Sequence, residues 1–351
     1  MFNNTKDTQM KNVSHNGKDK LKTALYFVGA FILFAVVFMT ALIVGKYSIT
    51  VGNFFKMMFS KDGYDMERSI VVNLRLPRTI IAALTGIALS VSGLLYQETF
   101  QNKLVSPDLL GVSSGAGVGA ALAILLGLST ITISIFAFVF GIATVLLTLF
   151  IHGVFKNKSQ MMLVLSGIIV GGLMSAILSF IKYLADAETT LAGITFLLMG
   201  SFENCNMSDV WILLPIVGVC TIITILISYR INIVALGREE ALTKGINYNA
   251  YRYVIIAIAT LLTASSVAFA GTISWVGLVV PHIVRLLVKR DATKTVPLCI
   301  IFGANFMVIT DILSRCFTAA EIPLSAVTGF FGTIIFVIII IVRRNVISES
   351  N

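Results

Sequence analysis

The chain has 351 residues, of which 57% are hydrophobic and only 12% charged, and its formal net charge is +9. A soluble domain devotes about a quarter of its residues to charged side chains, so a water-soluble globule is excluded. The positive excess comes without a basic patch interleaved with aromatics. That argues against nucleic acid as a partner and fits the basic inner loops of a membrane protein.

Residues 1–24 are polar, contain Lys6, Lys11, Lys18, Lys20 and Lys22, and read as a disordered basic tail. No small-residue cleavage site follows the first apolar run, so the segment is not read as a secretory signal. Leu25–Val44 is the first span, twenty residues without charge, which is the length a helix needs to cross a hydrocarbon core. Residues 45–74 form a charged loop whose Phe54, Phe55, Met57, Met58 and Phe59 suit the interface. Arg75 and Arg78 then bracket Leu76 and Pro77, and Thr79–Tyr96 is the second span. A polar elbow follows with Gln97, Glu98, Gln101, Asn102 and Lys103. It must lie in water or against protein, because lipid cannot satisfy irregular backbone.

The third span is Leu109–Leu128, and Gly111, Gly115 and Gly119 recur in it every fourth residue. That spacing lets helices approach closely, and with no strand before it GVSSGAGVG does not read as a dinucleotide loop. Ile131–Phe155 and Met161–Ile181 are the fourth and fifth spans, joined by the loop Lys156–Gln160. Leu191–Met199, nine apolar residues, is too short to cross and reads as a half-helix. Val210–Tyr229 is the sixth span, residues 230–252 a polar cytoplasmic segment, and Tyr253–Ala270 the seventh span. After a glycine-flanked break come a short eighth span, Val276–Val288, then Pro297–Leu313 and Leu324–Val342. Arg343 and Arg344 stop the last one, leaving 345–351 as a C-terminal tail.

The expected fold is thus an all-α polytopic membrane protein of about ten transmembrane helices, with one membrane domain over 25–344. An even number of spans puts both termini on one side. With the termini inside, inner segments hold 17 lysines and arginines and outer segments 8, Arg285 lying within a span. The positive-inside rule therefore makes both termini cytoplasmic.

Several residues stand out chemically. Arg75, Arg78 and Arg315 lie at the outer membrane border, against the charge bias. They read either as snorkelling anchors or as a docking triad, since guanidinium pairs bidentately with carboxylates. In the cytoplasmic segment, Gly237 opens a short helix, Gly245 stops it, Glu240 and Lys244 stand at i, i+4, and Leu242 and Ile246 form an apolar edge. Pro281, His282 and Arg285 sit in the eighth span. One histidine without a companion at ligand spacing does not make a metal site, so packing is the expected role. Asp311, the one acid well inside a span, needs a partner, and Arg315 is within reach at i+4. Its alternative role is proton or sodium coupling in a gradient-driven carrier. An intramembrane hydrolase would need paired acids, a serine–lysine pair or a histidine cluster at span depth, and none is present.

RLPR at 75–78, SGLLYQ ending at Gln97 and PDLLGVSSGAG from Pro107 together resemble the signature of FecCD-type permeases. These are the membrane subunits of ATP-driven importers for iron-siderophores, haem and vitamin B12. ALGREEALTKGI from Ala235, VGLVVPHIVR from Val276 and EIPLSAVTGFFG from Glu321 continue the resemblance to the C-terminus. Two departures are Lys103, where the family often has proline, and Thr333, in place of the last motif's second proline.

The resemblance implies a permease subunit of the bacterial inner or plasma membrane that works by alternating access, with iron-siderophore cargo or else haem or a corrinoid. Its partners would be a second permease chain, two cytoplasmic ATPase subunits and an extracytoplasmic substrate-binding protein. Glutamates of that protein would dock on Arg75, Arg78 and Arg315. Leu236, Gly237, Arg238, Glu239, Glu240, Ala241, Leu242, Lys244, Gly245 and Ile246 would couple to the ATPase, and Ser159, Gln160 and Met161 would form the inner gate. Gly111, Gly115, Gly119, Pro281, His282 and Asp311 would be structural. The chain has no GxxxxGK[ST] phosphate loop. ATP and magnesium would therefore sit on the partner, and this chain would bind no cofactor or metal and catalyse no covalent chemistry.

Overall fold

A computed structural model describes residues 3–59, 63–155, 159–288, 291–318 and 320–348, with side chains described between 21 and 341 in those ranges except at 58 and 59. Every regular element among the described residues is helical. The chain begins with α1 (Asn3–Ile43), α2 (Val51–Phe59) and α3 (Asp65–Ser69), and a π-helical turn (Ile70–Arg75) leads into α4 (Leu76–Thr99). A 3-10 turn (Pro107–Leu110) precedes α5 (Val112–Leu125), α6 (Thr130–Val154), α7 (Gln160–Leu184), α8 (Thr190–Met199) and α9 (Met207–Leu226). The remainder is α10 (Ser228–Val234), α11 (Arg238–Thr243), α12 (Tyr248–Ala270), α13 (Val276–Leu287), α14 (Ala292–Cys316) and α15 (Leu324–Ser348).

Eight helices are long and apolar enough to cross a membrane. With the shorter α5 and α13 added, ten apolar helices stand where the sequence places ten spans, and α8 is the expected half-helix. Three boundaries differ. The basic segment expected to be disordered joins the first span, because α1 is helical from Asn3; extending an existing helix costs far less than nucleating one. The second span does not start at Thr79 but is continuous from Asp65 to Thr99. Arg75, which sequence reading treats as a border, is buried with its charge on carbonyl oxygens, so it does not interrupt the helix. The third span shortens to the 14 residues of α5, with Gly127 at φ +66° just beyond its end.

Helix starts follow capping chemistry. Asn206 and Asp209 form a reciprocal capping box on α9, while Ser159, Asn247 and Asp291 cap α7, α12 and α14. Each satisfies N–H groups that a helix leaves open at its first turn.

The hub is α4. Of the apolar window in Asp65–Thr99, 89% is buried, against 17% for the first span, so α4 is wrapped by protein and α1 lies at the periphery. Small residues make this burial possible. A Cβ on Gly86 would overlap the carbonyl oxygen of Gly303 in α14, and one on Gly93 would overlap that of Gly277 in α13. Ser90 donates to the Cys299 carbonyl at 2.8 Å. On the α12 side, Ser92 meets Thr263 at 2.6 Å and Tyr96 meets Thr260 at 3.1 Å. Between helices in lipid there is no hydrophobic drive, so close backbone approach and such hydrogen bonds do the joining.

Gly115 and Gly119 pack α5 on α6, as expected, since a Cβ would strike Thr144 or the Phe136 carbonyl. Gly111 joins through its left-handed backbone, φ +79°. Gly167 likewise admits the Leu109 carbonyl, whereas Gly171 and Gly172 of the same helix face open space.

This packing generates a stability contrast. Gly303→Val should destabilise the chain by about 1–3 kcal/mol or more through overpacking, whereas Gly218→Ala, with nothing near its Cβ position, should be neutral or slightly stabilising. Parallel thermal unfolding of both variants in detergent checks the difference; equal melting temperatures would remove the close-approach argument.

Candidate functional site

At the end of the bundle where α4 begins, a cluster of four charges is centred on Asp311, which is fully buried. Arg78 donates from Nε to Asp311 Oδ1 at 2.7 Å. Its two terminal nitrogens meet the two oxygens of Glu321 at 2.8 and 2.9 Å, a bidentate pair. Arg315 places Nε 3.4 Å from Asp311 Oδ2, a charge contact without hydrogen-bond geometry. The expected Asp311–Arg315 pairing is therefore present, and Arg78 supplies a second and closer partner.

The remaining donors of this group secure α1. Arg315 donates to the Ala41 carbonyl at 2.6 Å. Arg75 donates to those of Leu42 and Ile43 at 2.9 and 2.6 Å and to that of Tyr47. Carbonyls at a helix C-terminus lack intrahelical partners and carry partial negative charge, so a guanidinium there is doubly favourable.

Within this chain the three arginines face carboxylates and carbonyls of their own fold. Arg75, Arg78 and Arg315 are 5%, 9% and 5% exposed, and each is engaged inside the chain. Asp311, held between two arginines with no solvent exposure, has the surroundings of a fixed ion cluster. Glu321, absent from the expected site residues, completes the cluster. The clue in the sequence was an acid just before the last span, at the same membrane border as RLPR.

About 30 Å away along α4, at 1.5 Å per residue, the elbow is also clamped. Pro281 has no N–H, which leaves the carbonyl four residues earlier without its helical donor. That carbonyl is Gly277, and it accepts from Gln97 Nε2 at 3.0 Å. Gln97 reaches the Val105 carbonyl at 3.3 Å, and its own carbonyl oxygen accepts from Arg285. Arg285 further lies 3.9 Å from Glu98. His282 uses Nδ1 on the Leu278 carbonyl at 2.8 Å and sets its ring edge-on to Phe336, a packing arrangement as expected. No group of three or more potential metal ligands occurs among the described residues.

Next to the elbow lies a cavity of about 410 Å³, walled by Leu89 of α4, Pro107, the first turns of α5, Leu178, Leu198 and residues 272–275. Its lining is partly polar. A second cavity of about 420 Å³ between α5, α6 and α7 is lined almost wholly by apolar side chains such as Leu122, Phe140 and Phe180.

The polar segment forms a knob. Gly237 takes φ +107° and Gly245 φ +69°, bounding the six-residue α11. Gly245 N–H donates to Leu242 and Ile246 N–H to Ala241, a paired C-terminal motif that stops the helix. Ala241 is fully buried and Ile246 packs on the core. Leu236 and Leu242 are 56% and 59% exposed, with Arg238, Glu239, Glu240 and Lys244 exposed around them. The expected apolar edge is therefore Leu236 with Leu242, not Leu242 with Ile246. The expected Glu240–Lys244 ion pair is not formed among the described residues, although the Lys244 N–H still donates to the Glu240 carbonyl at 3.3 Å.

Connections lead inward from the knob. Asn232 of α10 donates to Asp291 at 2.9 Å and accepts from Ala292 N–H at 2.6 Å, tying α10 to the start of α14. Burial alone would raise the Asp291 carboxyl, but hydrogen bonds from Thr293 and Asn232 hold it below the usual range. Gln160 donates to Tyr248 Oη at 2.8 Å and to the Thr99 carbonyl at 3.3 Å, so the expected gate residues join α7 to α12 and α4. Ser159 caps α7 and Met161 is 81% exposed. Lys156 and Lys158 of that loop lie outside the described residues. Cys205 and Cys316 are both free.

Residues 33–343 match the model of the FecCD transport family. The permease protein of the molybdate import system of Haemophilus influenzae is 32% identical over 316 residues, 89% of this chain and 94% of that protein. The permease protein of the vitamin B12 import system of Escherichia coli is 32% identical over 269 residues, 76% and 82% of the two chains. A solved metal-chelate type ABC transporter in an inward-facing conformation superposes with a TM-score of 0.83 at 32% identity, covering 90% of this chain and 98% of that one.

The ion cluster sets an asymmetry between its acids. Asp311→Ala leaves the buried Arg315 without a carboxylate and takes from Arg78 its Nε partner, and should cost about 3–5 kcal/mol. Glu321→Gln keeps a hydrogen-bonding side chain and leaves Arg78 on Asp311, so it should cost roughly 1 kcal/mol. Denaturant unfolding in detergent checks the order, and equal losses would mean that Asp311 is not the centre of the cluster.

Proposed function

This chain belongs to the FecCD transport family and is a multi-pass permease of an ABC importer; we propose that its cargo is an iron chelate of the siderophore type, carried by alternating access across a bacterial inner or plasma membrane. In this reading both termini are cytoplasmic and a second permease chain completes the path. Two separate ATPase subunits hold ATP and magnesium, and a substrate-binding protein delivers cargo outside.

The observation that supports it best is the knob. Leu236 and Leu242 are open on a polar segment that lipid does not reach, so neither bilayer nor chain covers them. Burying each against a partner would contribute roughly 1.5 kcal/mol or more, and the exposed charges around them form the polar rim of a protein contact. A groove on each ATPase receives α11. Nucleotide-driven closure then biases a two-state equilibrium through two connections: Asn232–Asp291 into α14, and α12 with the Tyr248–Gln160 bond into α7. On the outer side, acids of a docking protein would reach Arg78 by competing with Glu321, the partly open member of the cluster. The preference for a chelate draws on the metal-chelate type of the solved neighbour and on the partly polar cavity.

The test is uptake in proteoliposomes holding this chain with its ATPase and binding protein. Leu242→Arg should lower ATP-driven uptake of a ferric siderophore at least about tenfold, the equivalent of 1.4 kcal/mol, while membrane insertion and melting temperature stay unchanged. Uptake at the parental rate would remove the coupling role, and uptake without ATP would overturn the importer reading itself.

A further inference from the structure

The cavity beside the elbow offers hydroxyl groups of Ser106, Ser113, Ser114, Thr272 and Ser274, and among the described residues that line it Asp108 alone is charged. At about 410 Å³ it falls within the roughly 300–1,000 Å³ of small-molecule sites. Asp108 Oδ1 accepts the N–H of Ser113 at 3.0 Å, so the carboxylate stands on the first turn of α5, a helix of 14 residues. A helix start opening onto a cavity is ordinarily an anion site, with free N–H groups and the positive end of the dipole. Here the chain's own carboxylate already holds that place. Trp275 also lines the cavity, set edge-on to Phe336. The negative face of an aromatic ring favours cations and neutral ring systems over anions.

Resting on the importer reading, we propose that this cavity is a selectivity stage of the cargo path, whose fixed carboxylate and aromatic wall admit a neutral or cationic complex and turn away a free tetrahedral oxyanion. The hydroxyl lining serves a cargo that presents carbonyl, hydroxyl or amide groups, each serine or threonine being able to donate or accept. A bare oxyanion would meet one carboxylate and no basic side chain among the described residues that line the cavity.

The experiment reads the sign of the local potential in the full chain in membranes. Ser274, exposed in the cavity wall, is replaced by cysteine after Cys205→Ser and Cys316→Ser; Cys220 and Cys299 are buried and stay. Cationic and anionic methanethiosulfonate reagents are then compared at low salt. Burial raises the Asp108 carboxyl, with hydrogen bonds from Ser113 and Ser114 opposing, so the rates are taken at about pH 8 to keep it ionised. The cation-to-anion rate ratio should exceed that of 2-mercaptoethanol by at least about fivefold and fall to it in Asp108→Asn, which retains an oxygen to cap α5. A ratio at the 2-mercaptoethanol value, or one that Asp108→Asn does not change, overturns the proposal. Protection of the cysteine by millimolar molybdate in the chain with Asp108 overturns it too. Labelling needs neither ATPase nor transport, so a negative result here leaves the importer reading standing, and ATP-independent uptake would sink that reading without touching the labelling.

Discussion

Everything at the end of this bundle where α4 begins depends on one carboxylate, Asp311, held between Arg78 and Arg315 with no solvent exposure. An isolated charge at span depth is costly, and so is each of these arginines taken singly. Together with Glu321 they balance two positive against two negative charges, and the spare guanidinium donors are taken up by the last carbonyls of α1. The cluster therefore joins four parts of the chain that apolar contact alone would let slide: α1, α4, α14 and the segment leading to α15. Buried ion clusters are better attested as devices of specificity and register than of net stability. In a bundle whose helices are equally greasy on many faces, register is what needs fixing.

The elbow end uses a different device for the same purpose. Pro281 deprives the Gly277 carbonyl of its helical donor, and Gln97 supplies a replacement from α4. A defect in one helix becomes the attachment point for another, and Arg285 locks the glutamine in place. Proline is tolerated in membrane helices where a neighbour re-satisfies the freed carbonyl, and here the neighbour is the elbow itself. Gly93 and Gly277 approach so closely that the glutamine can reach.

Between these two clamps the protein divides into a stiff hub and lighter parts. Helix α4, with α12, α13 and α14 packed on it through glycine and hydroxyl contacts, forms the hub. The knob at α11 is attached to it by few but directional bonds, Asn232 to Asp291 and the cap of α12 by Asn247. These bonds tie the short helix to the starts of two long ones, α12 and α14. The cavity beside the elbow lies where the irregular segments meet, which is also where backbone and hydroxyl groups are available to a polar cargo.

The sequence by itself determined the class of the molecule, because composition, run length and charge bias are properties of segments and need no tertiary contact. Ten apolar helices, the half-helix at Thr190–Met199, the glycine-bounded α11 and the packing role of Gly115 and Gly119 were all legible that way. The family motifs were legible too, being contiguous. What only the tertiary structure decided was the partner of each polar group. Arg75, Arg78 and Arg315 look outward-facing in a linear reading, since a border arginine has water within reach of its side chain. The fold instead brings the end of α1 and residues 311 and 321 to them, and a guanidinium that finds carboxylates and open carbonyls in a place without water stays there. Gln97 and Glu321 gained their roles in the same way, from residues 180 and 243 positions distant along the chain, a separation over which no local pattern carries information.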